Sequence, residues 1–234
     1  MRRILALLAL LLTASPAAAL PVDLELVLAV DVSRSIDPDE ARLQREGYVR
    51  ALTDERVVQA IRSGVHGRIA LTYVEWAAAS VQFTLIGWTL ISDQASADAF
   101  AGKLAEAPMQ SHSRTSISGA IDYSIQLFGK NGFEGERLVI DVSGDGRNND
   151  GRQAHLARND AVARGITING LPIINDRPTF GFPPDANLDV YYETDVIGGP
   201  GAFMIVARNF EQFGEAILAK LIREIAQTND DLRF

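Results

Sequence analysis

The segment Asp31-Val32-Ser33-Arg34-Ser35 sets three oxygen-bearing side chains at i, i+2 and i+4. In a turn leaving a strand, that spacing can point all three at one spot. Carboxylate and hydroxyl oxygens are hard donors, the type that Mg²⁺ and Ca²⁺ prefer. Farther along, Ser143-Gly144-Asp145-Gly146 holds a carboxylate between two glycines. Glycines let the backbone turn sharply and leave room beside the acid. Between these segments lies a hydroxyl-rich loop, Ser113-Arg114-Thr115-Ser116.

Such residues act together only if strands and helices bring them to one end of a sheet. Leu24 to Val30 is nearly all apolar and runs into Asp31, which predicts a strand buried on both faces. Asp37-Pro38-Asp39-Glu40 then predicts a helix start, with an Asp cap, a proline in the first turn and acids at the positive helix end. That helix is expected to reach about Ser63 and stop at Gly64. Strands are expected over 68–76, 81–90, 137–142, 166–171 and 203–206, the second of them an antiparallel edge. Helices are expected over 93–105, 115–128, 152–164 and 210–226. Strands alternating with helices imply an α/β fold with a doubly wound, mostly parallel sheet and helices on both faces. In such sheets ligands bind beyond the carboxyl ends of the strands, where Asp31 and Asp145 fall.

The three pieces resemble the metal-ion-dependent adhesion site of von Willebrand factor type A (vWA) domains. That pattern is D-x-S-x-S after the first strand, a Thr on a middle loop, and an Asp after the central strand. The matches are Asp31, Ser33 and Ser35, then Thr115, then Asp145. The resemblance covers essentially all of the chain after the leader. It extends to exported bacterial vWA-like proteins of unknown function. It implies a vWA/Rossmann-like fold and a divalent metal, Mg²⁺ first, with Mn²⁺ and Ca²⁺ as alternatives. One extra glycine departs from the usual S/T-D-G context and leaves Asp141 as the alternative to Asp145. Two carboxylates balance a divalent charge, and Mg²⁺ wants six ligands while keeping waters. A partner's carboxylate can then replace a water, which is how the metal serves adhesion in vWA domains.

The first residues read as a leader. Arg2 and Arg3 precede an apolar run, Ile4 to Leu12, that is shorter than the ~18 residues of a spanning helix. Small residues up to Ala19 suit cleavage there, so residues 1–19 read as a signal peptide and 20–234 as a single vWA-like domain. The expected location is periplasmic or extracellular, with no membrane span in the mature chain. Net charge is −8, which argues against nucleic acid and anionic membranes as partners. Hydrophobic residues are 47% of the chain, enough for a sizeable core. Cysteine is absent, which removes thiolate metal sites and cysteine nucleophiles. A long segment, 172–201, carries four prolines between Pro172 and Pro184, then Tyr191-Tyr192 and a glycine cluster. Loops of that length in compact domains are usually functional or disordered, and the aromatics favour order.

Each piece alone has a plainer reading. Asp31 to Ser35 can be a capped strand-to-helix loop, Thr115 a helix cap and Asp145 a turn residue. Asn148, Asn149 and Asp150 read as a turn and cap, with support of the nearby Asp145 as the alternative, Tyr191 and Tyr192 as partner contacts or loop packing, and Glu75 as a support for the site. His66, His112 and His155 have no metal-ligand spacing, and His112 reads as a solvated loop residue near Thr115. The constellation favours a metal-dependent binding module whose shell is completed by a protein or carboxylate-bearing ligand. The alternatives are a metal-assisted hydrolase and a structural domain with an unfilled site. The hydrolase reading lacks a general base and a second metal cluster.

Overall fold

The computed structural model describes residues 18–174, 185, 187–209 and 212–226. The leader's charged and apolar regions, and three of the four prolines between Pro172 and Pro184, lie outside the described residues. Among the described residues the strands are β1 (Leu20–Val22), β2 (Leu24–Asp31), β3 (Ile69–Trp76), β4 (Gln82–Ile91), β5 (Phe133–Gly135), β6 (Leu138–Gly144) and β7 (Ile166–Pro172). The helices are α1 (Pro38–Thr53), α2 (Glu55–Arg62), α3 (Gln94–Glu106), α4 (Ile117–Ile125), α5 (Ala154–Val162), α6 (Leu188–Tyr191) and α7 (Phe213–Ala226). A π-helical turn, Tyr192–Val196, continues α6.

The main sheet has five strands in the order β4-β3-β2-β6-β7. All neighbours are parallel except the edge strand β4, which runs antiparallel to β3. β2 lies at the centre and is buried along its whole length, as its near-continuous apolar run requires. Alternation along β2 sends Leu24, Leu26, Leu28 and Val30 to a core with Tyr48, Phe100 and Phe213. It sends Val27 and Ala29 to a second core with Ile117, Ala157 and Tyr192. Two apolar layers on one sheet are the doubly wound arrangement expected from the sequence.

Four features differ from the sequence reading. The helix expected from Pro38 to Ser63 breaks at Asp54, which sits in extended backbone and caps α2 by accepting from the Arg56 N–H. Residues 203–206 form no strand; Met204 and Ala207 make isolated bridges to Gly170 and Ile173. The short parallel pair β1–β5 carries too few residues for a periodic signal. The long segment after β7 contains α6 and the π-helical turn, buried through Leu188, Tyr192 and Val196.

Candidate functional site

β2 ends at Asp31, and the chain turns through Val32 to Ser35 into α1. The turn is pinned by its backbone: Val32 N–H donates to Trp76 O at 2.9 Å, and His112 N–H donates to Val32 O at 3.0 Å. Asp37 then caps α1, accepting from the Asp39 and Glu40 N–H groups, while Glu40 returns a bond to the Asp37 N–H. The loop is therefore fixed at both ends.

Within it, Ser33 N–H donates to Asp31 Oδ1 at 2.7 Å. The Ser33 and Ser35 hydroxyls lie 2.8 Å apart, and Ser35 donates to Asp145 Oδ1 at 2.6 Å. Because Ser35 has one proton and gives it to Asp145, Ser33 is the donor in the first pair. Thr115 arrives from the middle loop. A methyl group built on Gly146 would lie 3.7 Å from Thr115 Oγ1, so this hydroxyl borders the residue after Asp145. Thr115 is held by the Asn148–Asp150 turn: its N–H donates to Asn149 Oδ1 at 2.9 Å, and its carbonyl accepts from Asn149 N–H at 2.8 Å. Arg114, just before it, has φ +70°, the sole positive φ at a non-glycine among the described residues. Backbone of that kind is held only where surroundings over-determine it, and it clusters at functional sites.

The electrostatics are those of crowded acid. Asp31 is fully buried, and its Oδ2 has no hydrogen-bond partner. Burial, and then the charge of Asp145, push the Asp31 carboxyl well above its ordinary value. Asp145 is pushed up to about 6, chiefly by burial, against the pull of the Ser35 hydrogen bond. An orphaned buried carboxylate oxygen, a second acid in electrostatic range and two aligned hydroxyls are a donor set that fits a hard divalent cation. No cluster of three or more His, Cys, Asp or Glu that could hold a metal occurs among the described residues, so two carboxylates and hydroxyls are the available donors.

The structure separates other residues from this spot. Asp141 lies at the middle of β6 (Leu138–Gly144), not beyond its end. It faces α7, where the buried Lys220 Nζ approaches its Oδ1 to 2.7 Å. Glu75 is buried against Arg45, which donates to its Oε1 at 2.6 Å. His66 reaches Glu136 at 3.4 Å and His155 reaches Asp195 at 3.3 Å, whereas His112 stays beside the site through its backbone bridge to Ser33, its ring packed edge-on against Phe83. Sequence reasoning favoured a turn-and-cap role for Asn148 and Asn149 over support of the site. Their amides also clamp the Thr115 loop, Asn148 by accepting from Ser118 N–H at 2.9 Å. A groove of about 810 Å³ opens beside Ser33, lined by Val32, Ile36, Ala41, Val49 and Met109, with the exposed Arg42 and Arg50 among its walls.

A family model described as a protein of unknown function (DUF1194) matches residues 21–229. No curated protein matches the chain. Several solved structures do. Proximal thread matrix protein 1 from the mussel byssus matches with TM-score 0.60 and 15% identity over 89% of this chain and 47% of its own. The same protein is also matched in a form with a zinc-occupied MIDAS motif, at TM-score 0.57. The pilus adhesin SpaC from Lactobacillus rhamnosus GG matches with TM-score 0.62 and 13% identity, over 89% of this chain and 31% of its own. A von Willebrand factor type A protein from Catenulispora acidiphila matches with TM-score 0.58 and 11% identity, over 88% of this chain and 42% of its own. This chain thus spans less than half the length of each. At such identities the likeness is one of fold, and that fold is the vWA type.

Proposed function

Because the chain belongs to the DUF1194 family and has a vWA-type fold, we propose that it is an exported, metal-dependent binding module. In this reading Asp31, Ser33, Ser35, Thr115 and Asp145 hold one divalent cation, Mg²⁺ first. When bound, the ion supplies an electrophilic position that a partner's carboxylate can fill. The protein's own residues orient the donors and keep the floor of the site dry. The observation that carries the reading is the buried Asp31 with its unpartnered Oδ2, in range of a second buried acid. A cation relieves both the desolvation and the repulsion.

The zinc-occupied motif of the mussel protein and the adhesin role of SpaC support this reading of the fold's metal-bearing face. The groove beside Ser33 would take apolar side chains flanking the partner's carboxylate. Residues 1–19 serve as the signal peptide, and 20–234 form a single domain. No helix among the described residues is long and apolar enough to cross a membrane.

Thermal melts of EDTA-stripped protein, with and without millimolar Mg²⁺ or Mn²⁺, test the site. A ligand at 100 times its Kd stabilises by ~2.7 kcal/mol. In a domain of this size that raises the melting point by roughly 5–10 °C. The wild type should shift, while Asp31→Ala and Asp145→Ala should not. No shift in the wild type at tens of millimolar Mg²⁺ and Mn²⁺ would remove the main support for the reading.

A further inference from the structure

We propose that Arg34 gives the site a second contact point, a guanidinium that takes one carboxylate of the partner while the cation takes another. The partner is then a polypeptide segment that carries two acidic side chains close together. The inference rests on the function proposed above and names the partner's chemistry.

Each of the three segments that supply donors carries an arginine beside them. Arg34 stands between Ser33 and Ser35, Arg114 precedes Thr115, and Arg147 follows Asp145 by two residues. All three are exposed. The chain is acidic, with 30 Asp and Glu against 22 Lys and Arg, so an arginine at every donor segment runs against the charge of the whole. Two of the three have carboxylates of their own. Arg147 donates to Asp185 and lies over the Tyr191 ring, and Arg114 comes within 3.8 Å of Asp150. Arg34 has no hydrogen bond or ion pair among the described residues. Its backbone is nevertheless fixed. The Ser33 and Ser35 hydroxyls on either side lie 2.8 Å apart, and Ser35 donates to Asp145 at 2.6 Å. Asp37, the exposed acid of the same loop, spends its carboxylate on capping α1.

Charge and shape select the partner. Asp31 and Asp145 balance a divalent cation, so the loaded site by itself offers little long-range attraction to an anion. Arg34 adds a positive charge that nothing nearby offsets. A planar guanidinium takes a carboxylate through two parallel N–H···O bonds. It thereby favours a second acid that the rest of this acidic chain would repel. The groove beside Ser33 selects the class of macromolecule. Its walls of Val32, Ile36, Val49 and Met109 suit the apolar side chains of a peptide rather than the hydroxyls of a sugar.

The test uses the full chain in millimolar Mg²⁺ and two labelled synthetic peptides, read by fluorescence anisotropy. One peptide carries two adjacent glutamates beside a leucine. The other has the second glutamate replaced by glutamine. The wild type should bind the diacidic peptide about five- to tenfold more tightly, the range of a charge-assisted bond at a partly exposed surface. Arg34→Ala, with circular dichroism matching the wild type, should bind the two alike. Arg34→Lys, which keeps the charge and loses the fork, should retain part of the preference. EDTA should abolish binding of both peptides to the wild type. If Mg²⁺ neither raises the melting point nor changes peptide binding, the function proposed above fails, and the two-point contact fails with it. If Mg²⁺ raises the melting point but the wild type binds neither peptide or both alike, the inference alone fails. A preference that survives in Arg34→Ala overturns it too. Tighter binding of dextran sulfate than of the diacidic peptide overturns the assignment of a polypeptide partner.

Discussion

Ser35 donates its hydroxyl proton to Asp145 across 2.6 Å, joining two residues 110 positions apart. The contact ties the turn after β2 to the turn after β6, the two neighbouring strands at the centre of the sheet. Ser33, bonded to Ser35 at 2.8 Å, extends the link, and its own N–H holds Asp31. Two acids that would repel each other are thereby kept together at one end of the sheet.

Ser35→Ala removes the donor from Asp145 Oδ1. A hydrogen bond to a charged group contributes about 1.5–3 kcal/mol. Urea unfolding of the metal-free variant should show a loss in the lower part of that range, because Ser35 is only part-buried. The metal-dependent rise in melting point should shrink along with it. A variant as stable as the wild type would mean that the contact contributes nothing.

Asn149→Ala tests the clamp on the middle loop. It deletes the acceptor of the Thr115 N–H but leaves the Asn149 backbone bond to Thr115 O. An unsatisfied, part-buried donor costs about 1–3 kcal/mol. Hydrogen exchange should become faster at Thr115 and Ser116 than in the sheet. Uniform change across the protein would argue that the loop is held by other contacts.

Lys220→Met tests the charge cluster under the sheet. Lys220 is fully buried between Asp141 Oδ1 at 2.7 Å and Glu224 Oε1 at 2.5 Å. Removing one partner of a buried ion pair typically costs 3–5 kcal/mol, because the other charges stay buried. Chemical denaturation should show a loss of about that size. Lys220→Met with Asp141→Asn and Glu224→Gln should recover much of it.

The same cluster sets a pH dependence. Burial, then the charge of Glu224, push Asp141 up to about 7 from its ordinary 3.8, with Lys220 pulling the other way. Below 3.8 the folded and unfolded chains both hold this proton, and the stabilisation is fully present. Between 3.8 and about 7 the folded chain keeps the proton and the unfolded chain does not, so raising the pH favours unfolding. Stability in EDTA should fall by on the order of a few kcal/mol as pH rises through that window. Asp141→Asn should flatten this part of the curve. An equal slope in that variant would assign the effect to other groups.

Much of the fold is legible in the sequence because its signals are local. Leu24 to Val30 is apolar without a break, and only a central strand covered on both faces buries such a run. Asp37-Pro38-Asp39-Glu40 carries the full chemistry of a helix start. The order Asp31, Ser33, Ser35, Thr115, Asp145 follows from residue type and position at strand and helix ends. Asp54, one acid among polar neighbours, gave no local sign that it would stop one helix and cap the next. Tertiary structure alone decided which buried atoms meet. It paired Ser35 with Asp145, turned Asp141 to Lys220 rather than to the strand end, and carried Tyr192 under Gly144. Those outcomes depend on strand order, on which face of β6 each residue takes, and on how a long segment packs. Such relations arise between residues far apart in the chain, where no spacing in the sequence records them.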